Sequence, residues 1–355
     1  MDTGKVMVAM SGGVDSSVAA WLLIRAGYEV AGATLDLMPC SPAEEPDCCG
    51  GSVSDDARRV ADQLKIPHYV FNYQDLFAKQ VIDYFCNDYL QGKTPNPCVV
   101  CNRLIKFGDL LKQAQSMGME FLATGHYARI KYDSQQQRYI LYRGLDPRKD
   151  QSYFLYLLDQ EQLAHSLFPL GEYKKPEIRA MARAMGLAAA EKAESQEICF
   201  VTDDNYARLV EERYPGSSQP GPILNLQGEV LGQHQGIIRY TIGQRRGLRL
   251  AQGYPVYVVA LDPQRNAVIV GSNDEVFSHG CTAVNPNWIA MEKLEQPLEV
   301  EAQIRYTAKP VRAMLSPNSN GTVQVEFKEA VRAITPGQAI VFYEGDMVIG
   351  GGTIN

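Results

Sequence analysis

Residues 5–26 read KVMVAMSGGVDSSVAAWLLIRA. Lys5 to Met10 is a short apolar run suited to a strand buried in a parallel sheet. Ser11 to Ser17, SGGVDSS, has the glycines and hydroxyls of a loop. Val18 to Ala26 is apolar at helical spacing and stops at Gly27, a residue that ends helices. Tyr28 to Leu37, YEVAGATLDL, is strand-like again. Strand, glycine loop, helix and strand make the opening unit of a doubly wound α/β domain.

Further along, SDDARRVADQL predicts a helix over Ser54 to Leu64, with Ser54 as its cap and an acidic first turn. It leads through Pro67 to the strand-like HYVFN. Glu120 to Thr124, EFLAT, is another buried-strand candidate and ends at GHYAR. Asp150 to Leu158 (DQSYFLYLL) and Tyr173 to Leu187 (YKKPEIRAMARAMGL) read as helices, and units of this type continue to about Phe200. RYPGSSQPGP, from Arg213 to Pro222, then reads as a linker. Beyond it, GEVLGQHQG, YPVYVVALDPQRNAVIVG and TVQVEFKEAVRAITPGQAIVFYEGDMVIGGGTI are short β-like runs, and the Pro-Gly-punctuated last one is typical of a small β-barrel. The expected division is an α/β domain over residues 1–205, a small β-rich domain over 206–275 and a β-barrel over 276–355.

A chain of 355 residues exceeds one typical core, which agrees with that division. Hydrophobic residues at 45% and charged residues at 21% are ordinary for a globular protein. No apolar run reaches the ~18 residues that a membrane helix needs. Asp2 and the immediate strand argue against a signal peptide, so a cytoplasmic setting without membrane contact is expected. In that setting the eight cysteines are not expected to form a disulfide framework. A net charge of −7 argues against broad nucleic-acid binding, yet it leaves room for a local basic face.

In SGGVDSS, Gly12 and Gly13 let the backbone approach an anion, and a following helix start supplies N–H groups. The bland reading is a plain strand-to-helix turn with a serine cap. The string is neither a Walker A loop nor the dinucleotide fingerprint. The stretch TPNPCVVCNR, from Thr94 to Arg103, places Cys98 and Cys101 in a C-x-x-C. A metal half-site, a redox pair and a catalytic cysteine beside an unrelated neighbour all tolerate that spacing. His126 is the one histidine inside a motif, and a structural role suits it at least as well as substrate contact. The other four histidines have no ligand spacing, so no zinc site is expected.

The string SGGxDS resembles the pyrophosphate loop of N-type ATP pyrophosphatases, the PP-loop superfamily. Taken with TPNPCVVCNRLIKFG, LATGHYARI, KDQSYFLYLL, SQEICFV, IRYTIGQRRGL, IRYTAKPVRA and TPGQAIVFYEGDMVIGGGTI, in that order from Met7 to Ile354, the chain resembles the bacterial tRNA-specific 2-thiouridylases. The resemblance implies an ATP-dependent sulfurtransferase acting on tRNA. ATP with Mg2+ would adenylate the C2 oxygen of the wobble uridine, and sulfur would then replace it, releasing AMP and pyrophosphate. Ala9, Met10, Ser11, Gly12, Gly13, Val14, Asp15, Ser16, Leu35 and Gly125 would bind the nucleotide. Cys199 would carry a persulfide, and Cys101 would release the sulfide or close a transient disulfide with Cys199. Asn96, Pro97 and Cys98 would line the target base, and Lys149, Asp150, Gln151, Arg305 and Tyr306 would touch the tRNA. A cysteine desulfurase or sulfur relay protein would donate the sulfur.

Cys98 departs from the family pattern, since many members carry Asp there. The proton-transfer role of that carboxylate would then fall to the Cys98 thiol, as a weaker acid-base group, or to water. Three thiols, Cys98, Cys101 and Cys199, would also suffice to hold a [4Fe-4S] cluster; of the two routes the persulfide is preferred, with no resident metal. Lys106 and Arg103 are neighbours that would favour a Cys101 thiolate. Cys86 and Cys281 read as inert buried thiols, and Cys40, Cys48 and Cys49 are assigned no chemistry. Arg239, Arg245, Arg246 and Arg249 form the densest basic run, either RNA-facing or a solvated hairpin edge. Two rivals, an amide-forming ligase on the same loop and a non-catalytic RNA-binding protein, lack an amine-supplying segment and a reason for both cysteines, respectively.

Overall fold

The computed structural model describes residues 3–38, 51–187, 198–201, 203 and 205–355. The chain divides into two compact units. One is Met1–Val81 with Cys98–Gln196 and Asp346–Val348; the other is Ile82–Pro97 with Glu197–Gly345 and Ile349–Asn355.

In the first unit the strands are β1 (Lys5–Ala9), β2 (Glu29–Asp36), β3 (His68–Asn72) and β4 (Phe121–Ala123). A hairpin of β5 (Ala128–Asp133) and β6 (Arg138–Arg143) follows, and then the two-residue β7 (Ser166–Leu167). Five of these form one parallel sheet in the order β3-β2-β1-β4-β7. Val6, Val8 and Val30 share a core with three helices, α1 (Val14–Arg25), α2 (Gly51–Leu64) and Lys175–Ala184, which contribute Val18, Leu23, Val60 and Ile178. Each such side chain contributes about 1.5–3 kcal/mol by leaving water. Strand order reverses at β1, with β2 on one side and β4 on the other. In open parallel sheets that switch leaves a crevice at the carboxyl ends of the strands. SGGVDSS leaves β1 there, and GHYAR leaves β4.

Several local expectations are corrected. Helix α1 begins at Val14, inside the expected loop, and α2 begins at Gly51, so Ser54 lies within the helix and does not cap it. Asp150 to Leu158 is no α-helix, since only Ser152–Phe154 forms a short 3-10 turn. The Asp150 carboxylate is the cause. It accepts from the N–H groups of Gly144 (3.0 Å) and Ser152 (3.1 Å), the Ser152 hydroxyl (3.0 Å) and Arg143 Nη1 (3.0 Å). A side-chain acceptor placed this way competes with helical backbone pairing. The helix expected over Tyr173 to Leu187 spans Lys175–Ala184, with Pro176 in its first turn and Gly186 in the left-handed region just beyond its end.

The second unit contains the helices Asp83–Leu90 and Tyr206–Arg213, joined by stacking of Tyr89 on Tyr206 at 4.5 Å. The Pro/Gly/Ser-rich run from Arg213 carries the chain into β8 (Gly221–Leu224), which is followed by β9 (Val230–His234), β10 (Tyr257–Asp262) and β11 (Ala267–Gly271). Their sheet order is β10-β11-β8-β9. The remaining strands are β12 (Phe277–Trp288), β13 (Leu298–Gln303), β14 (Val311–Pro317), β15 (Val323–Arg332), β16 (Ala339–Glu344) and β17 (Met347–Ile354). They run in the order β12-β15-β14-β13-β16-β17, and β12 pairs with β17 to close a six-stranded barrel. Alternation explains the strands: Val323, Val325 and Phe327 are buried, while Glu326 between the last two is exposed.

Candidate functional site

Three hydrogen bonds shape the loop after β1. The Ser11 N–H donates to Ser16 Oγ at 3.2 Å, and the Ser16 and Ser17 hydroxyls donate back to the Gly13 carbonyl at 3.3 and 2.8 Å. Gly12 has φ +67°, a backbone that side chains resist. Gly13 is extended and precedes α1, and no side chain caps the helix start. The serines thus brace the turn from behind and leave the first amides of α1 toward the crevice, where they suit an anion. Gly125 closes the other wall. A methyl group there would lie 2.8 Å from the Ser16 nitrogen, so only glycine lets the end of β4 rest against α1.

Of the remaining expected nucleotide residues, Ala9 ends β1, and the buried Met10 just after it donates its N–H to Ala33 O at 2.7 Å. Val14 and Asp15 open α1, and Leu35 lies half-buried on β2. The Asp15 carboxylate receives Lys175 Nζ at 2.8 Å on each oxygen and the Tyr127 hydroxyl at 2.8 Å. His126 is buried between the Phe107 and Phe168 rings, with its Nδ1 2.6 Å from Thr124 Oγ1. Burial, aided by the Lys106 ammonium, holds its pKa well below the ordinary imidazole value.

Cys98 is exposed and Cys101 is buried, both in the first unit; Cys199 is exposed in the second unit. Cys101 opens a π-helical stretch, Cys101–Leu110, within a continuous helical run from Pro97 to Ser116. The widened turn has two causes, one local and one distant in sequence. Gly108 sits over the Arg103 carbonyl, which a methyl group there would meet at 2.9 Å. The Gln162 amide donates to the carbonyls of Arg103 (3.0 Å) and Phe107 (2.9 Å). Lys106 is turned to Asn102 Oδ1 at 3.1 Å. Burial pushes the Cys86 thiol up to about 11, with Asp83 adding to the shift, and pushes the Cys281 thiol up to about 12, which suits inert roles. Cys40, Cys48, Cys49 and the first three residues of SQEICFV lie outside the described residues.

In the second unit, Asn96, Thr241, Arg305, Tyr306, Thr335 and Gln338 are among the residues around a cavity of about 250 Å3. Gln338 donates to the carbonyls of Thr94 (3.0 Å) and Pro95 (3.2 Å), which ties the TPNP segment to the TPGQ turn. Arg305 is aimed by the Ala333 carbonyl (2.8 Å) and the Thr335 hydroxyl (2.5 Å). Pro97 is buried beside this segment. In the first unit, Lys149 is half-buried, Asp150 is buried by the bonds described above, and Gln151 exchanges two hydrogen bonds with the Tyr127 backbone. Two of these three residues therefore hold the fold with their side chains. Arg239 pairs with Glu211, whereas Arg245, Arg246 and Arg249 are exposed on an irregular loop, which corrects the hairpin edge. Sequence reasoning missed Lys175, Tyr127 and Gln162. For Lys175 a signal was present: a lysine just before a proline at a helix start stands against the helix dipole.

Three family models cover the chain. They describe a tRNA methyl transferase HUP domain at residues 4–203, a tRNA methyl transferase PRC-barrel domain at 210–272 and an aminomethyltransferase β-barrel domain at 278–354. Among curated proteins, the tRNA-specific 2-thiouridylase MnmA of Moorella thermoacetica is 55% identical over 98% of both chains. The protein of that name from Acetivibrio thermocellus is 50% identical over 100% of both. The one from Heliobacterium modesticaldum is 53% identical over 98% of this chain and 92% of its own.

Proposed function

The chain belongs to the tRNA-specific 2-thiouridylase family, and from that premise we propose that it replaces the C2 oxygen of a tRNA wobble uridine with sulfur at the expense of ATP. The observation that carries this reading is the uncapped start of α1 behind Gly12 and Gly13, set at the switch point of the parallel sheet and walled by Gly125. Such an end is suited to the phosphates of ATP, which brings Mg2+ with it. Adenylation turns the C2 oxygen into an AMP leaving group.

The terminal sulfur of a Cys199 persulfide then attacks C2, and AMP departs. The Cys101 thiolate attacks the Cys199 sulfur, freeing 2-thiouridine and leaving a Cys101–Cys199 disulfide that a thiol reductant reopens. A sulfur-donor protein reloads Cys199 in the cytoplasm. The cavity beside Asn96, Arg305 and Tyr306 takes unpaired nucleotides of the anticodon arm, with Tyr306 as a stacking face and Arg305 for phosphate. In this scheme residues 1–205 adenylate and thiolate, residues 206–275 contact tRNA, and residues 276–355 form the barrel.

The test combines ATP, tRNA and a persulfide-forming sulfur source and measures 2-thiouridine in the digested tRNA. Wild-type protein yields the product with one AMP per sulfur. Cys199→Ser still releases pyrophosphate but frees no AMP, Cys101→Ser still frees AMP, and both lose thiolation. Normal thiolation by Cys199→Ser overturns the persulfide route.

A further inference from the structure

Cys199 and Phe200 share one turn and meet opposite surroundings. The Val201 N–H donates to the Ile198 carbonyl at 2.9 Å, which closes a turn with Cys199 and Phe200 at its centre. Cys199 is exposed, whereas Phe200 and Val201 are each only 6% exposed. The Phe200 ring stands edge-on to Phe85, with centroids 5.2 Å apart and planes at 87°. Such a contact is directional, so it orients the ring as well as burying it. Phe85 is fully buried on the helix Asp83–Leu90 and meets Tyr89 of the same helix at 4.9 Å. Tyr89 in turn stacks on Tyr206, so four rings run from the neighbour of Cys199 to the helix Tyr206–Arg213. An ion pair of Arg213 with Asp83 at 2.8 Å joins the far ends of the two helices. The backbone on the C-terminal side of the Cys199 thiol is thereby anchored before any chemistry begins. A thiol that only filled space would not need to be held at the surface on a buried ring.

We propose that Phe200 is a positioning residue for sulfur transfer: its ring, held edge-on by Phe85, fixes the turn from which the Cys199 persulfide is delivered. The proposal rests on the persulfide reading above, and Phe200 itself enters no bond-making step. The terminal sulfur bonds to C2 as the bond from C2 to the AMP oxygen breaks, and AMP departs with the electron pair. The Cys101 thiolate then bonds to the Cys199 sulfur, and the pair of the broken S–S bond stays on the sulfur at C2. Transfer requires the reacting atoms to approach within about 3–3.5 Å in the right direction, and freedom not yet lost must be given up at that moment. Phe200 restricts the directions open to the persulfide beforehand.

The experiment loads Cys199 from a persulfide-forming sulfur source and checks the loading by mass. It then follows one round of thiolation with ATP, Mg2+ and tRNA, alongside pyrophosphate release and tRNA binding. In Phe200→Ala, loading, pyrophosphate release and tRNA affinity stay at wild-type levels, while transfer from the loaded cysteine slows about 100-fold. Phe200→Leu, which keeps apolar bulk against Phe85, restores part of that rate. A wild-type transfer rate in Phe200→Ala overturns the inference. So does a defect confined to loading, which would make Phe200 a residue for the sulfur donor. Should Phe200→Ala lose pyrophosphate release or tRNA binding through misfolding, Phe85→Leu decides, since it keeps Phe200 and removes the ring that orients it. Slowed transfer with intact pyrophosphate release then supports the inference, and wild-type transfer overturns it. Wild-type protein that thiolates tRNA without ever carrying sulfur on Cys199 overturns the persulfide reading and this inference with it.

Discussion

His126 carries a consequence for stability that its position in GHYAR does not suggest. It is neutral in the folded chain, because burial and the nearby Lys106 ammonium hold its pKa well below the ordinary value of 6.5. The unfolded chain binds a proton on this ring once pH falls below about 6.5. Stability from neutral His126 is therefore complete above that pH and is lost as acidity increases, at up to about 1.4 kcal/mol per pH unit. Denaturation midpoints should fall between pH 7 and 5, and His126→Gln should flatten that slope even if it lowers the plateau. An equally steep slope in the variant would remove His126 from the account. Motif spacing made Ser11 to Ser16 and Gly125 legible at this scale, because each lies next to a strand end. The pairing of Lys175 with Asp15 was not legible: it spans 160 positions, and the local signal of a lysine at a helix start does not encode its partner.

Elements were legible where backbone pattern and side-chain chemistry agree. β1 and β3 lie where the apolar runs predict strands; of the β-like runs after Gly221, the first two form strands of the four-stranded sheet and the last forms β15, β16 and β17 of the barrel. The segment after Asp150 misled because one carboxylate captures amides that a helix would use for itself. The helix around Cys101 is a related case, since its π-helical turn depends on Gln162 from a distant helix. The Gln162 side chain also accepts from the Asp159 N–H at 3.1 Å and closes a capping box there. Replacing it removes three hydrogen bonds at once. Gln162→Leu should cost about 1–3 kcal/mol in urea denaturation by leaving carbonyls without their donor. Because the Arg103 and Phe107 carbonyls belong to the helix that Cys101 opens, the same variant should slow thiolation more than AMP formation. A variant with unaltered stability and an unaltered ratio of the two rates would show that Gly108 alone maintains the widened turn.

The whole chain poses an electrostatic problem: a protein with a net charge of −7 must bind a polyanion. Composition made this conflict visible, and the change in sequence texture after Phe200 made the β-rich half visible. Strand order in the parallel sheet and in the barrel was not legible, because their pairings join segments far apart in sequence. Attraction to tRNA must come from local groups not already neutralised by the protein. Arg239 is spent on Glu211, while Arg245, Arg246 and Arg249 stand exposed on one loop beside a cavity of about 410 Å3. Each phosphate contact releases counterions and adds about 0.7–0.9 to the slope of log K against log salt. Replacing Arg245, Arg246 and Arg249 together by alanine should lower that slope by about 2–3 if each arginine meets one phosphate, with the largest affinity loss at low salt. Arg239→Ala should leave the slope nearly unchanged, because its charge is already compensated. Equal slopes in the triple variant and the wild type would move the phosphate contacts elsewhere. A slope change in Arg239→Ala as large as that per arginine would mean that Glu211 releases it when tRNA binds.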